Sequence, residues 1–458
     1  MRENAWKNYD EESLKKVFEF CEGYKAFISD CKTERECVDE SIRIAKSYGY
    51  VDLEDVIKQN GTLKAGDKVY ANNMGKGVAC FLIGKEPIVN GCNILGAHVD
   101  SPRLDIKQNP LYEDKEFAML DTHYYGGIKK YQWVTIPLAL HGVVVKKDGT
   151  VITINIGEDD QDPVVGISDL LVHLSADQMS KKASNVIEGE DLNVTIGSMP
   201  LKGEEKNAVK ANILKMFKEK YDFEEEDFVS AEIEVVPAGK ARDYGLDRSM
   251  IAGYGHDDRI CAYTSLLAQM EMESVDRTAI CLLVDKEEVG SIGATGQHSK
   301  FFENTLAEVM NCANEYNELN VRRALKNSKM LSSDVSAAFD PNYASVNEEK
   351  NSAFMGHGLV FNKYTGSRGK GGCNDANAEY MAELRNIMEK EGVVIQTAEL
   401  GKVDQGGGGT IAYILAQYNM EVIDSGIALH NMHAPWEIAS KIDVWEAVKG
   451  YKAFLKHA

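Results

Sequence analysis

Residues 281–296 read CLLVDKEEVGSIGATG, and the fold assignment turns on them. Ala279–Asp285 is a short apolar run stopped by polar residues, which reads as a buried strand. It runs into Asp285, Glu287 and Glu288, then Gly290, Gly293 and Gly296. Carboxylates crowded at a strand end repel one another and lose hydration. A metal ion is the simplest compensation, and one acid can bind it while its neighbour stays free as a base. The glycines let the backbone pass close to whatever sits there. Their spacing follows the acids instead of opening a βαβ unit, so this is not a dinucleotide fingerprint.

Outward from this stretch, strands and helices alternate from Asp257 onward. Val393–Thr397 reads as a second strand, and Ile260–Met272, Lys300–Asn311, Ala376–Glu391 and Thr410–Tyr418 read as helices. That order predicts an α/β domain with a mostly parallel central sheet. Upstream, Leu14, Val17, Phe18 and Cys21 recur at helical spacing, and Glu34–Tyr48 repeats the texture. Lys68–Leu82, with Gly75 and Gly77 at its turn, and Ile94–Val99 read as strands, with Pro102 as a breaker.

Between Pro102 and Val236 the pattern changes. Thr135–Val145 and Val151–Ile156 are β-branched runs joined by a Lys-Lys-Asp-Gly hairpin signal. Leu192–Ile196 and Ala231–Val236 add strands around a helical Asn207–Tyr221, and the acidic Glu224–Asp227 reads as a solvated face.

The 458 residues are 44% hydrophobic and 27% charged, an ordinary globular balance. Fifty-one Lys and Arg against 72 Asp and Glu leave a net charge of −21, which speaks against nucleic acid or an anionic membrane as a partner. No apolar run approaches the roughly 18–20 residues of a membrane span. The nine cysteines form no C-x-x-C pair, and the charged N-terminus lacks a signal-peptide core. A reducing cytoplasm is the expected location.

Four further segments place His or acid residues near strand or helix ends. His98 and Asp100 are two apart, so an extended chain points both to one side. Asp257 and Asp258 precede an apolar helical stretch; they either cap it or one of them bridges cations. Asp334 sits among small residues, where a turn is the plainer reading. His430 and His433 stand three apart before a helix, one ligand and one bystander. The loop Asp404–Thr410, DQGGGGT, lacks the lysine of a nucleotide P-loop and reads as a turn or a substrate-side loop.

Together His98, Asp257, Glu287, Glu288, Asp334 and His433 form a cysteine-free imidazole and carboxylate set suited to zinc, manganese or cobalt. Five ligands and a spare glutamate are the inventory of a two-metal hydrolase.

The segments GAHVDSPRLDIK, HDDRICA, DKEEVGSIGATG, SSDVSAAFDPNY and MHAPWEIASKID, in order along nearly the whole chain, resemble the M18 metalloaminopeptidases, the aspartyl aminopeptidase family. The resemblance implies that His98 and Asp334 bind one zinc, Glu288 and His433 the other, and that Asp257 bridges them. It is the motif alignment, not the chemistry, that picks Asp257 over Asp258. It implies Glu287 as general base and Asp100 as the carboxylate orienting His98. It also implies a catalytic domain of residues 1–100 and 243–458, interrupted by a β-rich dimerisation domain, 101–242. Family members build dodecamers from dimers, with His173 resembling a histidine that enters the neighbouring subunit's site. Lys370 lies where the family places substrate contacts. The implied substrates are peptides with a free N-terminus, acidic residues among them, although the chain departs from the animal enzymes around Lys370 and GGGGT. The alternatives are a two-metal deacylase on the same scaffold and a catalytically silent metal-binding protein.

Overall fold

The computed structural model describes residues 3–366 and 368–458. The chain forms two compact units. The first comprises the chain up to Asp100, Ala241–Met432 and Glu437–Ala458; the second comprises Ser101–Lys240 and the short segment His433–Trp436.

A nine-stranded sheet organises the first unit. At its centre Ala279–Val284, Asn93–His98, Lys329–Ser332 and Glu421–Gly426 lie side by side and parallel. The flanks bring antiparallel pairings: Gly77–Leu82 against Ala279–Val284, and Leu359–Asn362 against Glu421–Gly426. The sheet is therefore mixed, with a parallel core. Strand residues alternate between two cores, as a two-residue period requires. Leu95, Ala97, Cys281, Leu283, Leu331 and Ile423 face one core, which takes in the helices Glu11–Asp30, His256–Met270 and Lys441–His457. Ile94, Ile280, Leu282, Met330 and Val422 face the other, shared with Phe301–Cys312 and Ala412–Ala416. Burial on both faces explains why AICLLV carries no polar alternation.

A smaller five-stranded sheet in the same unit contains Met250–Gly253, Glu437–Ser440, Ala428–His430 and Ser336–Ala337. The second unit carries a six-stranded sheet, antiparallel throughout, and the helix Ala208–Tyr221.

The structure differs from the sequence reading in places. Beyond Pro102 the chain resumes at once as two long strands, Arg103–Asp114 and Phe117–Tyr125. Their pairing slips between Ile106 and Leu111, which breaks the alternation that would announce them. The helix expected over Thr410–Tyr418 shrinks to Ala412–Ala416. Lys441–His457 is a long helix that the sequence reading passed over: Lys441, Asp443 and Glu446 are buried, and charge on the inner face blurs the apolar stripe opposite Lys449, Lys452 and Lys456. Among the described residues no helix is long and apolar enough to cross a membrane. All nine cysteines are free thiols.

Candidate metal centre

The site grows from the end of strand Asn93–His98. His98 is fully buried. Its Nδ1 lies 3.0 Å from the Asp100 carbonyl oxygen and 3.3 Å from Asp100 Oδ1. Those acceptors favour the tautomer with the proton on Nδ1, which leaves the Nε2 lone pair open. Nε2 is buried without a hydrogen-bond partner and faces three acids: Asp257 Oδ1 at 3.3 Å, and Glu287 Oε2 and Asp334 Oδ1 each at 3.9 Å.

Asp257 and Asp258 open the helix His256–Met270, but neither is in helical conformation there. No side chain caps the helix at its N-cap position. Gly255 stands at the N-cap with φ +75°, a left-handed conformation that glycine adopts without strain. The two acids serve different neighbours. Asp257 reaches the His98 ring, and its backbone N–H donates to Glu437 Oε2 at 3.0 Å. Asp258 turns behind the strand and accepts the His98 backbone N–H at 3.3 Å.

Glu287 and Glu288 follow Lys286, which takes φ +70° and turns the chain sharply off its strand. Their backbone N–H groups donate to Asp100 Oδ1 and Oδ2, both at 3.2 Å. One buried carboxylate thus orients the imidazole and holds the backbone of both glutamates. Asp334 follows strand Lys329–Ser332, where Ser333 N–H donates to the Gly96 carbonyl at 2.5 Å. A Cβ on Gly426 would sit 1.9 Å from the Asp334 carbonyl oxygen, so only glycine lets these chains approach this closely.

Ligand-capable atoms of His98, Asp257 and Asp334 lie within 4.8 Å of one another, and so do those of His98, Glu287 and Glu288. Burial and then the neighbouring acids push Asp334 and Asp258 well above the usual carboxylate range. Burial alone would lower the His98 imidazole, but Asp100 and Asp257 outweigh it and hold it well above its usual value, so a cation at Nε2 would take the place of a proton. Packed acids of this kind are costly unless positive charge joins them. A divalent cation fits: the donors are one imidazole nitrogen and carboxylate oxygens, and the imidazole nitrogen is an orphan.

The other sequence-singled residues have the following neighbours. His433, at φ +65°, lies in the segment that groups with the second unit, its Nδ1 2.9 Å from the Gly127 carbonyl. His430 Nε2 is 3.0 Å from the Phe339 carbonyl oxygen. His173 stands exposed on the second unit, next to the exposed Leu171, Val172 and Leu174. The Lys370 ammonium pairs with Asp375 at 2.9 Å and lies 3.7 Å over the Tyr364 ring. Its neighbour Ser367 is outside the described residues.

Residue-by-residue reading of the sequence passed over Asp424. It is 1% exposed, with both carboxylate oxygens buried. Burial, relieved in part by the Thr410 hydroxyl and reinforced by Glu287, pushes it up to about 7. A single acid in the strand EVIDSG gave no local signal.

Comparison with known proteins places this geometry in a family. Residues 27–455 match the family described as aminopeptidase I zinc metalloprotease (M18). A Clostridium acetobutylicum protein described as probable M18 family aminopeptidase 1 is 68% identical over 455 residues, spanning 99% of this chain and 98% of its own. The crystal structure of an M18 family aminopeptidase from Thermotoga maritima superposes with a TM-score of 0.95 at 44% identity, covering both chains completely. The S. cerevisiae mApe1 dodecamer shares the fold at 19% identity, with a TM-score of 0.77 over 96% of this chain and 97% of that one. A match of this length and identity makes the chain a member of the M18 family of zinc-metalloprotease aminopeptidases.

Proposed function

We propose that the protein hydrolyses the N-terminal residue from peptides at a dinuclear site, with zinc the first choice and cobalt or manganese as substitutes. His98 and Asp334 would hold one ion, Glu288 and His433 the other, with Asp257 between them. The observation that carries this reading is the orphaned His98 Nε2 facing a ring of buried or half-buried carboxylates. His433 directly follows Met432 of the first unit, and the far end of its loop, Glu437, accepts the Asp257 N–H.

When bound, the ions supply ligation of the free α-amine, polarisation of the scissile carbonyl and acidification of a water. The chain's own groups do the rest. Glu287, held at its backbone by Asp100, takes the proton from the attacking water and returns it to the departing amine. Asp100 keeps His98 in the tautomer that leaves Nε2 free. The second unit would act as the dimerisation domain, its exposed apolar turn around His173 meeting another copy. His173 from that copy would steady the developing oxyanion, a role worth roughly 3–4 kcal/mol. A dodecamer built from such dimers is the expected assembly, by analogy with the yeast mApe1 dodecamer. Nine free thiols agree with a cytoplasmic setting.

A panel of aminoacyl-p-nitroanilides tests this function. Chelator should abolish cleavage, and zinc, cobalt or manganese should restore it. N-acetylated counterparts should resist. The panel begins with Asp and Glu, but Lys370, the cation that would receive them, already pairs with Asp375. A broader range of N-terminal residues is therefore expected. Cleavage of the acetylated forms in preference to the free amines would point to a deacylase instead.

A further inference from the structure

Asp285, next to the two glutamates, is 1% exposed, and both its oxygens are used on one loop. Oδ1 accepts the Lys286 backbone N–H at 2.7 Å, and Oδ2 accepts the Thr295 hydroxyl at 2.6 Å. The Asp285 N–H donates to the Thr295 carbonyl at 3.3 Å, and Asp285 pairs with Gly296 as an isolated bridge. The side chain and backbone of Asp285 therefore tie together the two ends of the loop that carries Glu287 and Glu288.

Inside this tie the backbone is tightly turned. Lys286, Gly290 and Gly293 have φ of +70°, +94° and +117°. The Lys286 carbonyl accepts from Ser291 at 2.6 Å, and the Glu287 carbonyl accepts from Gly290 at 2.9 Å. A Cβ on Gly296 would lie 2.3 Å from the Ser291 carbonyl oxygen, so the returning strand presses against the turn. Across the glutamates, Asp100 holds their N–H groups from the strand side. The turn is thus held at two places, by Asp100 at the glutamate N–H groups and by Asp285 with Thr295 where the loop closes.

We propose that Asp285 and Thr295 are positioning residues that hold the Glu287 carboxylate in register for proton transfer. The proposal rests on the reading of Glu287 as general base. Neither residue touches the reacting atoms; both act through the backbone that presents Glu287. Displacing a reacting group by about 1 Å costs on the order of 100-fold in rate, so a loosened loop should reduce turnover sharply.

Thr295→Val keeps the shape and removes the hydroxyl donor. In the zinc-loaded enzyme, on the best substrate of the panel, it should lower kcat by about 10–100-fold while KM and bound zinc stay near wild type. Thr295→Ser keeps a hydroxyl and should recover most of kcat. A merely structural role would leave kcat intact well below the melting temperature. Wild-type kcat in Thr295→Val, or a loss that only follows loss of zinc, overturns the proposal. If Thr295→Val does not fold, Asp285→Asn, which keeps the size but one acceptor oxygen fewer, must show the same split of kcat from KM and zinc; a wild-type kcat there overturns it equally. Glu287→Gln assayed in parallel separates the two levels. An active Glu287→Gln removes the base on which the clamp would act, whereas an inactive one beside a normal Thr295→Val removes only the clamp.

Discussion

Glu287→Gln should retain its bound metal and a near-normal KM while kcat falls by about 10²–10⁴-fold. Glutamine matches glutamate in size and keeps the backbone N–H that Asp100 receives at 3.2 Å. The turn should therefore keep its shape. What the amide cannot do is accept a proton at neutral pH. The loss corresponds to roughly 3–5 kcal/mol of barrier. Metal content by elemental analysis and steady-state kinetics on one preparation provide the check. Equal activity in the variant would mean that another group takes the proton. Loss of metal together with activity would mean that Glu287 is a ligand, a role its place 3.9 Å from His98 Nε2 leaves chemically open.

His98→Ala should have the larger effect on metal, because His98 belongs to two of the ligand-capable groups in the first unit. Losing a partner that merely supports a ligand costs about 10–100-fold in metal affinity. Removing the imidazole itself should cost more. It also leaves Asp257 and Asp334 facing one another without the nitrogen they surround. Turnover should be undetectable at metal concentrations that saturate the wild type. Titration with zinc, read by calorimetry or a chromogenic chelator, checks this. A variant that binds zinc as tightly as wild type would take His98 out of the centre.

Much of this arrangement is local in sequence. The strands Ala279–Val284 and Asn93–His98 announce themselves because both faces are apolar, as in AICLLV, whereas their parallel neighbours Lys329–Ser332 and Glu421–Gly426 went unread. The crowded acids around Asp285 stand out because one lysine, Lys286, stands against three carboxylates. What stayed hidden depends on distant pairings. That Asp258 serves the His98 backbone while Asp257 faces its ring follows from the packing of helix His256–Met270 against strand Asn93–His98, not from two adjacent identical letters. The grip of Asp100 on the glutamate N–H groups spans 187 residues. Asp285 was visible as one more acid, yet its use as a tie needs Thr295 to return beside it. Arg103–Asp114 went unread because its register slip scrambles the alternation, and Lys441–His457 because Lys441, Asp443 and Glu446 put charge on its buried face.

Counting the metal is the most direct test. Protein purified without chelator, loaded with zinc and freed of excess should carry two ions per chain by plasma mass spectrometry. Anomalous scattering from its crystals should place one peak beside His98, Asp257 and Asp334 and the other beside Asp257 and Glu288. One ion per chain, none, or a peak away from these residues would contradict the dinuclear centre.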